Sequence, residues 1–155
     1  ADSPEPVQTI VVCGKNTRLY HSLGEVIEQS LNPMVRLSYV HNVEELMSVS
    51  DLIITKAGGL TVSEALTKHL PLVIYKAIPG QEEENARFVE RLGAGQVAGT
   101  EEELEWILKR FLSNPKEMEK IREKAAVAIP GHSTERAVEA MLQLTMNSRN
   151  EQKIG

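Results

Sequence analysis

Short apolar runs alternate with stretches of helical periodicity along most of this chain. "QTIVVC" (8–13) is β-branched and apolar, and it stops at Gly14-Lys15-Asn16. Leu19, Leu23, Val26, Ile27 and Leu31 then recur at helical spacing. "MVRLSYV" (34–40) alternates as a strand, and Val43 to Val49 suits a short helix with Asn42 as N-cap. "DLIIT" (51–55) is the next strand, 60–69 a helix, and "LPLVIY" (70–75) a strand begun by Pro71. The pattern predicts a helix over 82–92 ending at Gly93, a short strand over 94–98, and helices near 101–113, 115–128 and 133–147. Asn114-Pro115 and Pro130-Gly131 punctuate the last three.

Strands alternating with helices in this way indicate βαβ units and a parallel sheet with helices on both faces. Apolar runs without alternation suit strands buried on both sides. The expected fold is α/β: a Rossmann-like, doubly wound parallel sheet of about five or six strands. Residues 1–7, with Ser3, Pro4 and Pro6, read as a linker or hinge, 8–147 as one domain, and 148–155 as a polar tail. The chain opens without Met, as a processed product or an excised piece would.

Composition narrows the chemistry. A net charge of -5 argues against the basic footprint of a nucleic-acid binder, and 4% aromatics are too few for a base-stacking platform. The single Cys13 excludes an internal disulfide and a cysteine-ligated zinc; at the end of an apolar run it reads as a buried, inert thiol. The histidines, 21, 41, 69 and 132, show no metal spacing, so no metal is expected. No stretch approaches the roughly 20 apolar residues that cross a bilayer, and no signal peptide is visible, so a cytosolic location is expected. "KEMEKIREK" (116–124) mixes charges and reads as a solvated helix face.

Ligands of open α/β sheets bind beyond the carboxyl ends of the strands, which singles out four loops: 13–17, 40–43, 55–61 and 76–82. In the third, Gly58 and Gly59 remove Cβ atoms where backbone must approach a ligand or adopt positive φ. The helix that follows offers unpaired N–H groups and a positive dipole end to phosphate oxygens. Neither the dinucleotide nor the P-loop fingerprint is present. Glu64 has two readings: the far end of a capping box begun by Thr61, or an acceptor for both hydroxyls of a ribose. In "KAIPGQEEEN" (76–85), Gln81, Glu82 and Asn85 fall on one helical face. They read either as an acidic first turn complementing the dipole or as groups that count sugar hydroxyls. Gly14 with Asn16 or Thr17, and the stretch Tyr39 to Val43, are ordinary turns or extra contacts to phosphate and a flat base.

The stretches "VVCGKN", "YVHNVEELMSVSDLIITKAGGLTVSEAL", "PLVIYKAIPGQEEENARF" and "GAG" span residues 10 to 95. Together they resemble the C-terminal, donor-binding domain of GT-B fold glycosyltransferases of family 28. "GKN" and "QEEEN" lean toward the branch of plant monogalactosyldiacylglycerol synthase and bacterial processive diacylglycerol glucosyltransferase. Glu82 and Glu83 depart from the lipid II N-acetylglucosaminyltransferases, which tend to carry glutamine there, and rank that branch second.

The resemblance implies that Gly58, Gly59, Leu60 and Thr61 line the diphosphate of a UDP-sugar, and that Glu64 takes the ribose. It implies that Gln81, Glu82 and Asn85 face the donor sugar or the phosphates. Val40 with Val43 would read uracil, and Gly14 and Asn16 would approach from the first strand. The donor, UDP-glucose first, is a substrate; no cofactor is implied. A general base, the diacylglycerol acceptor and peripheral contact with the inner face of the cell membrane would belong to a second, N-terminal domain. A free-standing nucleotide-binding module and a sugar-nucleotide epimerase are the competing readings.

Overall fold

The structure, a computed structural model, describes residues 6–129 and Glu139. The expected Pro130-Gly131 turn, the 133–147 helix apart from Glu139, most of the linker and the polar tail lie outside the described residues. Backbone contacts divide the chain into two compact units, one up to Val43 and one from Glu44 onward.

In the first unit, β1 (Thr9–Val12) and β2 (Met34–Leu37) pair in parallel, Thr9 opposite Met34 and Val12 opposite Leu37. The crossover is α1 (Thr17–Gln29), capped by Asn16, whose side-chain oxygen accepts from Leu19 N at 2.9 Å. Arg36 donates from β2 to the Tyr20 carbonyl, and its guanidinium lies 4.5 Å from the Tyr20 ring centroid, which ties the helix to the sheet. Ile10, Val12 and Val35 are 38%, 42% and 44% exposed, so these strands alternate and do not show burial on both sides. β2 ends at Leu37, three residues short of the expected end.

The second unit contains α2 (Val43–Ser48) from Glu44 onward, β3 (Ile53–Thr55), α3 (Gly59–Thr67), β4 (Leu72–Tyr75), α4 (Gln81–Leu92), β5 (Gly95–Ala98), α5 (Glu101–Ser113) and α6 (Pro115–Ala128). β3, β4 and β5 pair in parallel and in chain order. Among the described residues the five strands thus form a two-stranded and a three-stranded ladder. Leu72, Val73 and Ile74 on the central strand are 0% exposed, as a strand covered on both faces requires. Val73 packs with Ala98, Ile107, Phe111 and Ile121, which joins β4 and β5 to α5 and α6. On the other face, Val89 of α4 lies over Gly95.

Local chemistry sets the ends of these elements. Thr100 and Glu103 make a capping box at α5, and Pro115 opens α6. Gly93 stops α4 in the left-handed conformation at φ 66. His69 does the same beyond α3 at φ 53, which is why that helix ends at Thr67 and not at 69. Gly95 is required sterically: a Cβ there would press on the Leu72 carbonyl oxygen and lie 2.9 Å from both Leu72 Cβ and Val89 Cγ1. Gly95→Ala should therefore destabilise the fold by about 1–3 kcal/mol, the scale of core overpacking. Urea unfolding checks this; an unchanged midpoint would show that the sheet and α4 separate freely.

Candidate functional site

The loop from β3 to α3 runs Lys56-Ala57-Gly58-Gly59. Helix α3 begins at Gly59, with Gly58 as N-cap at φ -64 and ψ 132 and no side-chain cap. Thr61 is thus already inside the helix, and the capping box of Thr61 with Glu64 does not form. The glycines do not serve positive φ either. What they leave is room: a Cβ on Gly58 would meet nothing within 4 Å, and one on Gly59 only Asn85 Nδ2 at 3.6 Å. A helix start with no side-chain acceptor leaves its first N–H groups and dipole end for a ligand.

Glu64 lies in the second turn of α3, half-buried, and its carboxylate accepts no hydrogen bond among the described residues. Burial, and secondarily the Glu44 carboxylate, push its carboxyl above the ordinary value. A partly desolvated carboxylate without donors is suited to a ligand that brings hydroxyls. Leu60 is 68% exposed and Thr61 half-buried beside it.

The loop from β4 to α4 turns at Gly80, whose φ of 106 and ψ of -132 essentially only glycine adopts. The three residues expected at this helix start take different positions. Gln81 is exposed. Glu82 is half-buried, and its Oε2 accepts from Ile78 N at 3.1 Å, leaving Oε1 for another partner. Asn85 is 2% exposed; its Nδ2 donates to the Ala57 carbonyl at 2.8 Å, and its Oδ1 accepts from Gln81 Nε2 at 3.2 Å. Gly59, Gln81 and Asn85 are therefore brought together, although they come from different helices. Sequence reasoning missed the two backbone groups, Ala57 C=O and Ile78 N–H, because a main-chain partner leaves no signature in residue type. Glu83, in the same acidic turn, pairs with Arg87 at 2.6 Å on the exposed face.

In the first unit, Gly14 follows β1 at φ 57, and Asn16 spends its oxygen on the α1 cap, so only its amide can donate to a ligand. Val40 and Val43 are both half-buried. Tyr39 is 55% exposed, with its ring edge-on to His41 at 4.9 Å and Lys15 Nζ 5.8 Å from its centroid. A cleft of about 530 Å³ in the second unit, bordered by Lys76, Pro79, Ala86, Arg87 and Val97, includes none of Gly58, Gly59 and Glu64.

The raised Glu64 carboxyl gives a pH test. Its folded value lies above the ordinary 4.5, so the native state binds the proton more readily than the unfolded chain. Charging Glu64 therefore opposes folding above the folded value, and the penalty fades as pH falls through it. Glu64→Gln should melt higher than the parent at pH 7, with the difference shrinking toward pH 4. A pH-independent difference would remove the electrostatic explanation.

The family model described as the glycosyltransferase family 28 C-terminal domain matches residues 2–143. A processive diacylglycerol beta-glucosyltransferase from Bacillus licheniformis is 40% identical over 118 residues, covering 76% of this chain and 31% of that protein. The protein of that name from Bacillus subtilis is 43% identical over 100 residues, covering 64% of this chain and 26% of its own length. The chain thus spans about a third of the curated relatives it matches. Among solved structures, Acinetobacter baumannii MurG aligns with a TM-score of 0.62 at 20% identity, covering 92% of this chain and 51% of MurG. The Streptomyces sp. SF2575 glycosyltransferase SsfS6, solved with thymidine diphosphate, aligns at 0.52 and 15% identity, covering 94% and 42%. Those two likenesses speak to the fold, while the family match and the Bacillus relatives decide membership: the chain belongs to the C-terminal domain family of family 28 glycosyltransferases.

Proposed function

We propose that this chain is the UDP-sugar-binding half of a glycosyltransferase that moves a hexose, glucose first, onto diacylglycerol. The observation that carries the reading is the start of α3: a helix N-terminus without a side-chain cap, two glycines that leave space over it, and one turn on a carboxylate that accepts no hydrogen bond among the described residues. The names of the Bacillus relatives support the hexose and the lipid acceptor. The thymidine diphosphate held by SsfS6 supports a nucleoside diphosphate as the donor's leaving group.

When the anomeric carbon leaves the β-phosphate oxygen, negative charge builds on the departing UDP. Helix N–H groups already aimed at that position stabilise the charge without reorganising. Gly58 and Gly59 let the phosphates come close, with Leu60 and Thr61 beside them, and Glu64 accepts from the ribose. Gln81 and the free oxygen of Glu82 take the sugar. Val40 and Val43 for uracil, and Gly14 and Asn16 for the approach from β1, are proposed on the family resemblance. The general base, the acceptor site and a peripheral seat on the cytoplasmic face of the membrane are proposed for a partner domain, so this chain binds donor and transfers nothing.

Calorimetry with UDP, UDP-glucose, UDP-galactose and UDP-N-acetylglucosamine tests the reading. UDP and UDP-glucose should bind, and Glu64→Ala should weaken UDP by about 1.5–3 kcal/mol, the scale of hydrogen bonds to a charged group. Preference for the N-acetylated donor would move the chain to the lipid II branch. Absence of UDP binding, or full affinity in Glu64→Ala, would contradict the site.

A further inference from the structure

The loop that leads from β4 into α4 is bounded by two residues on the left-handed side of backbone space, Lys76 at φ 50 and Gly80 at φ 106. Glycine takes such conformations freely, whereas a lysine is strained in them, and strain of this kind gathers at ligand clamps and switch regions. Between these two ends the segment is stiff, because Pro79 fixes its own φ and restricts Ile78 before it to extended backbone. It is also thinly attached. Lys76 N donates to the Ala98 carbonyl at 2.9 Å, and the Gly80 carbonyl accepts from Glu84 N at 3.1 Å. Between those anchors the backbone makes one hydrogen bond among the described residues, from Ile78 N to Glu82 Oε2 at 3.1 Å. Ile78 is 54% exposed, and Pro79 is exposed beside it. The loop borders the cleft of about 530 Å³, which Lys76, Ala77 and Pro79 line together with Ala86 of α4 and Val97 of β5, so the space against which it would pack is open.

We infer that residues 77–79 form a strap at the sugar end of the donor site, hinged at Lys76 and Gly80 and latched by Glu82, with the cleft as the space it enters when unlatched. Latched, Ile78 and Pro79 present apolar surface beside the Glu82 oxygen that takes the hexose, where water must be kept from the anomeric carbon. Strain at Lys76 opposes a single hydrogen bond, so the two positions lie close in free energy. A sugar hydroxyl on Oε1 holds the carboxylate still and keeps Oε2 on Ile78 N. By linkage, a hexose then closes the strap and a closed strap retains the hexose, while UDP without its sugar does neither. What the strap closes over rests on the donor-site reading above.

The test reads amide hydrogen exchange by NMR at Ile78, in the full 155-residue chain and in Glu82→Ala, Lys76→Asn and Val97→Phe, each alone, with UDP and with UDP-glucose. In the parent, UDP-glucose should slow exchange at Ile78 by about tenfold relative to the free chain, and UDP by less than about twofold. Glu82→Ala should bring Ile78 to the rate of an unstructured peptide, while the amides of Phe88 and Val89, buried in α4, keep their protection. Lys76→Asn places a residue that tolerates the left-handed region at the hinge, and Val97→Phe fills the cleft from β5. Each should slow Ile78 in the free chain, the first by relieving the strain and the second by removing the unlatched position. Equal slowing by UDP and UDP-glucose, or protection of Ile78 that survives in Glu82→Ala, would overturn the inference. So would a rate that either Lys76→Asn or Val97→Phe leaves unchanged. A parent chain that binds neither ligand would sink the donor-site reading, with the three free-chain comparisons still deciding whether the strap exists.

Discussion

A central strand with no exposed side chain from Leu72 to Ile74 is the constraint on which the second unit depends. Covering both faces of β4 requires helices on each side, and parallel pairing with β3 and β5 requires every connection to leave from the same edge. The starts of α3 and α4 are therefore neighbours at the carboxyl end of the sheet, although Gly59 and Asn85 lie far apart in sequence. Their nearness is settled by the burial of aliphatic side chains that never meet a ligand.

On that frame the two helix starts are built differently from α5. There, Thr100 and Glu103 satisfy the open backbone donors with side chains, as helices ordinarily do. At α3 the cap is a glycine without a side-chain acceptor, and a carboxylate without donors among the described residues sits half-buried nearby. Both features oppose stability in the empty protein, and one ligand that brings phosphate oxygens and hydroxyls would relieve both. Sites of this kind hold local departures from ordinary helix chemistry because the surrounding core keeps them in place.

Much of this was legible from residue pattern. The strand–helix order, the 101–113 and 115–128 helices and the Gly93 stop follow from periodicity and caps, which act over a few residues. The family motif pointed to the carboxyl end of the sheet, where Gly59 and Asn85 meet. Errors arose where a decision depends on distant partners. Thr61 looked like a cap because Ser/Thr-x-x-Glu is a local signal, yet the helix starts earlier, with Gly58 as its N-cap in an extended conformation. Gln81, Glu82 and Asn85 share a helical face by spacing, but spacing does not say which residue meets Ala57 across the fold and becomes buried. The exposed faces of β1 and β2 were likewise hidden, since an apolar run does not reveal whether one face or two are covered.

The central claim, that the Gly58–Thr61 turn receives the diphosphate, is tested most directly by backbone amide NMR. UDP and uridine would be titrated separately into the isotopically labelled chain. The amides of Gly58, Gly59, Leu60 and Thr61 should move strongly with UDP and hardly with uridine, since only UDP carries the charge that their N–H groups would bind. Equal movement with both ligands, or UDP-induced shifts concentrated at Lys76 and Arg87 with the glycines unmoved, would contradict it.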